Sequence, residues 1–420
     1  MSRHVIRDKS IFMVRFSYVL LICCVVQFSS AWIYPPSTFS GISTVIQDKA
    51  LGVPFQYALW AAVFLTFLYD AIHNGFDFYV ITVKPFIVFV LLGILSSIFG
   101  IMPIESIRLI VLYFVMICAS ILPVSVLNAH DAQKTVYNTF FILIFLSVLF
   151  PILLPQIGAQ SYGVATAWRG LFTNKNTLGW FSAIALIVAV IFFDKKFILK
   201  SILFVMLPVV ALLFSQSKGA LVSAGVSLAF VPALVNLQRR VSLWLAVFIF
   251  CILFILMSAL LYFFFTDVLL LLGRDATLTG RTVIWGMYFN SMLNSPFLGG
   301  GPGSYTSLTE LTLPLAYRLQ DMGSILTPHN IYLAAFGELG LFGLFAFVGI
   351  LIYFAFFQYF NVPNIYSLAC AAVSILLLIG GFSDTHEVFS TGLSMFVMIL
   401  YRSMALKQYA SQSDKVNING

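Results

Sequence analysis

Charge is the scarcest commodity in this sequence. Asp, Glu, Lys and Arg together make up 9% of its 420 residues, against about 25% in an average soluble domain. A water-soluble fold with so little charge would expose wide apolar patches and aggregate, which excludes a soluble enzyme, a disordered chain and a nucleic-acid-binding domain. Cysteine is also sparse. The five present (Cys23, Cys24, Cys118, Cys251, Cys370) all fall in apolar runs, without CxxC or Cys/His ligand spacing, so neither disulfides nor a metal is expected. The carboxylates form no cluster suited to a cation, and no cofactor is implied. No repeat of roughly 20–50 residues recurs. The Gly-rich run at 298–305 lacks the GK[ST] that follows a phosphate-cradling loop, and reads as a turn.

What the chain has is apolar length. Hydrophobic residues reach 61%, Phe alone numbers 44, and the mean hydropathy is +1.03. Apolar runs of about 20 residues recur along the chain. Only helices and closed barrels satisfy their backbone inside lipid, and runs of this length define an all-α polytopic membrane protein. The windows predict about 12 transmembrane helices, near 11–33, 57–76, 83–99, 106–126, 136–154, 175–193, 198–214, 219–235, 241–265, 330–357, 365–381 and 389–406. The third and fourth windows also read as one re-entrant pair. The first follows a basic start (Arg3, Arg7, Lys9), yet at about 22 residues it reads as an uncleaved helix rather than a signal peptide.

An even number of spans puts both termini on one side. Inner segments then hold Arg3, Arg7, Lys9, Lys134, Lys195, Lys196, Arg239, Arg240, Lys407 and Lys415, as the positive-inside rule expects of cytoplasmic segments. Residues 1–265 are read as transmembrane helices 1–9, 266–326 as one large external loop, 327–406 as helices 10–12 and 407–420 as a cytoplasmic tail. The loop carries an amphipathic stretch, RTVIWGMYFNSMLNS (281–295), read as a helix at the membrane surface, then the tight turn LGGGPGSY (298–305). A loop this long is more often functional than passive.

Several outward cations stand at expected helix starts. Lys175 lies in FTNKNTLGW, Lys218 in SQSKGALVS after the cap candidates Ser215 and Ser217, and Arg281 in TLTGRTVIW after Thr279 and Gly280. In TPHNIYL, Thr327 is the expected cap, Pro328 the first helical position, and His329 a first-turn residue. Helix starts present unpaired N–H groups and about half a positive charge, and so favour anions. Several such ends with Lys and Arg side chains suit a compact polyanion at the outer lipid–water boundary, and a diphosphate fits that description. The same field disfavours the imidazolium of His329 and leaves a neutral imidazole as candidate general base for an incoming hydroxyl. Arg169 is a further outer cation, and Asn174, Asn176, Asn330, Glu338 and His386 are candidate substrate contacts. The plainer readings are helix caps, interfacial side chains snorkelling to headgroups, helix packing through GELGLFG, and a polar turn around Asp384, His386 and Glu387. Arg274 and Arg318 read most simply as solvated loop charges.

Five segments, LFTNKNTLGW (171–180), SQSKGALVS (215–223), LTGRTVIW (278–285), SPFLGGGPGSY (295–305) and PHNIYLAAFGELGLFG (328–343), stand in the order seen in bacterial membrane glycosyltransferases. As an ordered set they resemble the O-antigen ligase/Wzy polymerase superfamily. The first 160 residues or so match only in hydropathy. The resemblance implies glycan transfer from undecaprenyl diphosphate to an acceptor at the periplasmic face of the bacterial inner membrane, by a metal-independent inverting glycosyltransferase. It implies diphosphate binding by Lys218 and Arg281 and acceptor activation by His329. Lys218 departs from the Arg usual in the ligases, which loses the bidentate fork but keeps the point charge. The SK, NKN and LTGRT wording looks closer to exopolysaccharide polymerases, so polymerisation of repeat units is preferred over ligation to lipid A-core. The implied partners are an undecaprenyl-diphosphate-linked oligosaccharide, an acceptor glycan or lipid A-core, membrane lipids and a chain-length regulator. The rival from another class is a transporter or flippase of lipid-linked sugars, against which stand the one-sided gathering of ionisable residues and the lack of related halves.

Overall fold

The computed structural model describes residues 11–31, 53–162, 165–249, 252, 256, 281–307, 309–318, 327–382, 388–389 and 392–419. Among the described residues apolar sequence becomes helix: α1 (Ile11–Ser29), α2 (Val53–Asn74), α3 (Asp77–Val83), α4 (Ile87–Phe99), α5 (Pro103–Val126), α6 (Ala129–Leu153), α7 (Lys175–Ile191), α8 (Ile198–Phe214) and α9 (Lys218–Arg240). There follow α10 (Arg281–Met292), α11 (Leu313–Arg318), α12 (Ile331–Ile352), α13 (Ile365–Gly380) and α14 (Leu393–Asn419). A 3-10 turn at Lys84–Phe86 joins α3 to α4, and the pair forms one 23-residue apolar span, Asp77–Phe99. Among the described residues eight helices are long and apolar enough to cross a membrane, and α7 and α13 are shorter apolar helices. The all-α polytopic architecture is as the sequence predicts. Most of the ninth window, 241–265, lies outside the described residues.

Asparagine starts four of these helices. Asn128, Asn174, Asn330 and Asn364 accept N–H bonds from the first turns of α6, α7, α12 and α13, and Asn364 forms a full capping box with Ser367. Proline marks the start of α5, where the missing N–H costs nothing.

In lipid the hydrophobic effect does not drive helices together, so close packing by small residues has to. Ala183, Ala185 and Ala189 of α7 and Ala369, Ala371 and Ala372 of α13 are buried; α7 packs on α9 and α13, and α13 packs on α9 and α14. α5 is the most enclosed span and packs on α2, α4 and α14. The outer surface is a wall of exposed Leu, Ile and Phe, including Phe99, Ile104 and Leu199, suited to acyl chains.

Helix α12 is broken. Gly340 has φ +67° and ψ −168° in mid-helix, and a Cβ there would fall 2.1 Å from the backbone carbon of Phe297. The break frees backbone carbonyls, and the Gly-rich turn of the large loop takes them up. Gly300 and Gly301 donate N–H bonds to the carbonyls of Gly337 and Glu338, and Ser96 Oγ also donates to the latter. Gly299, Gly301 and Gly303 all have positive φ, which is why this turn needs glycine. Non-helical backbone at this depth is tolerated because protein groups satisfy it.

A second departure is a hairpin of β1 (Ala159–Tyr162) and β2 (Ala165–Trp168), antiparallel with Ala159 opposite Trp168, where the sequence reads as a plain connection. Trp168 stacks on Phe214 at 4.3 Å and Gln216 Nε2 donates to the Thr166 carbonyl at 3.0 Å, so the hairpin is pinned to the turn between α8 and α9.

Candidate functional site

The expected cations stand at helix starts gathered at one end of the bundle. Asn174 caps α7 by accepting the Thr177 N–H at 2.9 Å, and Lys175 is the first helical residue, half-buried, its N–H directed at Gln160 Oε1 of the hairpin at 3.3 Å. One turn on, a Cβ at Gly179 would fall 2.4 Å from Ser217 Cβ, so glycine is what lets α7 approach the SQSK turn. Within that turn Gln216 has φ +54°, a strained value for a residue with a side chain. Lys218 opens α9 and is exposed. Ser217 occupies the cap position without making a side-chain cap bond.

α7 is held to α13 at the same level. A Cβ at Gly380 would collide with the Trp180 ring, at 1.8 Å. The end of α13 then meets the start of α12: the Ile331 N–H donates to the Gly381 carbonyl at 2.8 Å, and the Tyr332 hydroxyl donates to the Leu378 carbonyl. Just before Ile331, His329 is half-buried in the left-handed region at φ +48°. The Trp285 indole N–H of α10 donates to the Pro328 carbonyl at 2.9 Å. Arg281 is the first residue of α10, one turn before Trp285 and on the same helix face. The contacts thus run without a gap from the hairpin to Lys175, the Lys218 turn, the His329 turn and the helix of Arg281.

One expected detail is corrected. Asn330, not Thr327, caps α12, its Oδ1 accepting the N–H groups of Tyr332 at 2.9 Å and Leu333 at 3.1 Å. His329 therefore lies ahead of the helix rather than in its first turn, which still sets it beside the positive end of the dipole. The asparagine carboxamide reaches two N–H groups in this geometry, and the Pro328 carbonyl is instead engaged by Trp285.

Arg169 stands at the foot of the hairpin, half-buried, with its Nε–H donated to the Ile157 carbonyl at 2.7 Å. Asn176 is exposed in the first turn of α7. Glu338 is fully buried two turns into α12, where its Oε1 accepts the Thr306 hydroxyl at 2.6 Å, and it belongs to the seat of the Gly-rich turn. His386, Asp384, Glu387, Arg274, Thr279 and Gly280 lie outside the described residues.

α10 buries Ile284, Tyr288 and Met292 against Tyr305, Leu315 and Phe336, which fixes how it lies on α12. Burial pushes the phenols of Tyr288 and Tyr305 upward, so both stay protonated at neutral pH; the Ser291 hydroxyl, 3.4 Å from the Tyr305 oxygen, opposes part of the latter shift. The residues the sequence reading underrates are Gln160, Gln216, Trp180 and Trp285. For Trp180 the signal is Gly380 opposite its ring and for Trp285 the Pro-His turn, each visible only once the partners are known.

Fold and site together define a polytopic α-helical membrane protein with cationic helix ends gathered at one end of the bundle. Residues 202–348 match the Wzy_C family model, described as O-antigen ligase, and the match bears out the resemblance to the O-antigen ligase/Wzy superfamily. It covers about a third of the chain and includes Lys218, Arg281, His329 and Glu338, but not Lys175 or Arg169. No curated protein matches the chain. The family supports a membrane glycosyltransferase-like role, of polymerase or ligase type.

Proposed function

We propose that the protein transfers a glycan from undecaprenyl diphosphate to an acceptor glycan at the periplasmic face of the inner membrane, polymerising O-antigen or exopolysaccharide repeat units. Lys218 and Arg281 hold the diphosphate, aided by Lys175, with Arg169 in support at the hairpin. His329, as neutral imidazole, takes the proton of the acceptor hydroxyl. That oxygen attacks the anomeric carbon from the side opposite the diphosphate, the bond from carbon to diphosphate oxygen breaks, and the leaving group departs with the electron pair. A single displacement of this kind inverts the anomeric configuration. Cations and helix N–H groups aimed at the departing oxygens lower the barrier because they are in place before charge develops. This reading requires neither metal nor cofactor. Asn176 is a candidate sugar contact, whereas Asn174 and Asn330 serve by shaping the helix starts.

The observation that supports this most is the hydrogen bond from Trp285 to the Pro328 carbonyl. It joins the helix that Arg281 opens to the turn that carries His329, which supports the two acting together as phosphate ligand and base. A transporter or flippase would keep a broken helix facing a substrate cavity; here the break in α12 is filled by the backbone of Gly300 and Gly301. The test is transfer by purified full-length protein supplied with lipid-diphosphate-linked oligosaccharide. Release of the carrier diphosphate with a ladder of lengthened glycans supports polymerisation. Attachment only to lipid A-core indicates the ligase, and movement of the carrier across vesicles without transfer refutes the enzyme reading.

A further inference from the structure

The far end of the bundle contains a buried cation that the transfer reaction does not use. Arg402 of α14 is 4% exposed. Its Nε donates to the Thr82 carbonyl at 2.8 Å, one Nη to the Ile81 carbonyl at 2.9 Å, and the other Nη to the Tyr353 hydroxyl at 3.3 Å and to Gln358 Oε1. The guanidinium also lies over the rings of Tyr353 and Phe354, at 5.5 and 5.6 Å. Every one of these partners is neutral, and among the described residues no carboxylate pairs with it. The bonds take four of the five N–H groups. Carbonyls at the end of α3 and aromatic faces soften the burial of the charge, but they leave its sign uncompensated where the dielectric is low.

Arg402 lines a cavity of about 520 Å³, inside the range of roughly 300–1,000 Å³ usual for ligand sites. Its other walls include Lys84, Val88, Phe89, Gly349 and Ile350. Lys84 is exposed, as are Val88 and Gly349, so the cavity opens onto the apolar outer wall of the bundle. A Cβ at Gly349 would meet nothing within 4 Å, which leaves that wall recessed. α12 begins at the candidate active site and reaches this cavity only at its other end, so the two sites lie at opposite ends of the bundle. A buried cation and an exposed one at the head of a lipid-facing apolar groove match one ligand chemistry, an anionic phosphodiester carrying acyl chains.

We propose that this groove binds one anionic phospholipid, its phosphate between Arg402 and Lys84 and an acyl chain along Val88, Phe89 and Ile350. The site is independent of the glycosyl-transfer reading. It is tested on full-length protein by native mass spectrometry after titration with phosphatidylglycerol or with phosphatidylethanolamine of the same acyl chains. Wild type is expected to retain one phosphatidylglycerol per chain, about tenfold more tightly than phosphatidylethanolamine. Lys84→Gln, which removes a surface cation, and Gly349→Leu, which fills the recess, are each expected to weaken that retention about tenfold. Their far-ultraviolet circular dichroism should match wild type. Equal retention of the two lipids, or unchanged retention in both variants, overturns the proposal. Displacement of the lipid by millimolar inorganic phosphate would overturn it as well, since a phosphate site without an acyl groove would then explain the binding.

Discussion

His329 concentrates the chemistry of the account in one residue. Its φ of +48° is a conformation that side-chain-bearing residues hold at a cost of roughly 1–3 kcal/mol, and such strain gathers at functional sites. Two substitutions separate strain from chemistry. His329→Ala should lower the transfer rate by about 10²–10⁴, the usual contribution of a general base. His329→Gly should be as inactive, yet unfold at a higher temperature than His329→Ala, because glycine adopts positive φ freely. A glycine variant no more stable than the alanine one would remove strain from the argument. At Lys218 the resemblance implies arginine in most of the ligases, so Lys218→Arg should keep donor affinity within a few-fold, while Lys218→Ala should weaken donor binding by about tenfold or more. Equilibrium binding of the lipid-diphosphate donor reads both. Residue types and spacing were enough to nominate these side chains, because cations at apolar helix starts stand out in a chain so poor in charge. Arg402 is illegible in the sequence for the opposite reason: its carbonyl partners lie 320 and 321 residues away, and nothing local marks it.

Among the elements, the broken helix α12 and the Gly-rich turn depend on each other. Gly340→Ala would force a Cβ into the backbone of Phe297 at a positive φ, and should lower the thermal unfolding temperature sharply, with loss of folded protein on purification. Gly225→Ala is the control, since a Cβ there meets nothing within 4 Å and alanine favours helix; it should be neutral or slightly stabilising. A different outcome is expected where α10 is tied to the His329 turn. Trp285→Phe keeps the ring but loses the bond to Pro328, so it should lower kcat more than it raises the donor KM, the signature of misplaced chemistry rather than lost binding. An effect confined to KM would mean that Trp285 only holds donor. These elements were partly legible. The repeated glycines foretold a turn, and RTVIWGMYFNSM foretold a helix, but the break in α12 was hidden inside an unbroken apolar run. The β1–β2 hairpin was hidden because its strands are four residues long and largely small or polar, giving no Val/Ile alternation to read. The start of α12 slipped by three residues, from Thr327 to Asn330, because several capping residues stand close together there and only geometry chooses between them.

At the scale of the whole molecule, the architecture followed from apolar length alone, since lipid leaves the backbone few alternatives to helix. The convergence of the site did not. Lys175, Lys218, Arg281 and His329 come from four segments, and sequence could say only that all belong on one side. In the fold, the contacts of Gly179, Gly380, Ile331 and Trp285 bring those segments to one end of the bundle. The central claim is that cations from separate helix starts grip one diphosphate, and the most direct test is a double-mutant cycle on donor affinity. Dissociation constants for wild type, Lys218→Ala, Arg281→Ala and the double variant give the coupling. If both side chains hold one diphosphate, their losses should be non-additive by about 0.5–3 kcal/mol; strictly additive losses, or full affinity in either single variant, would contradict the shared site.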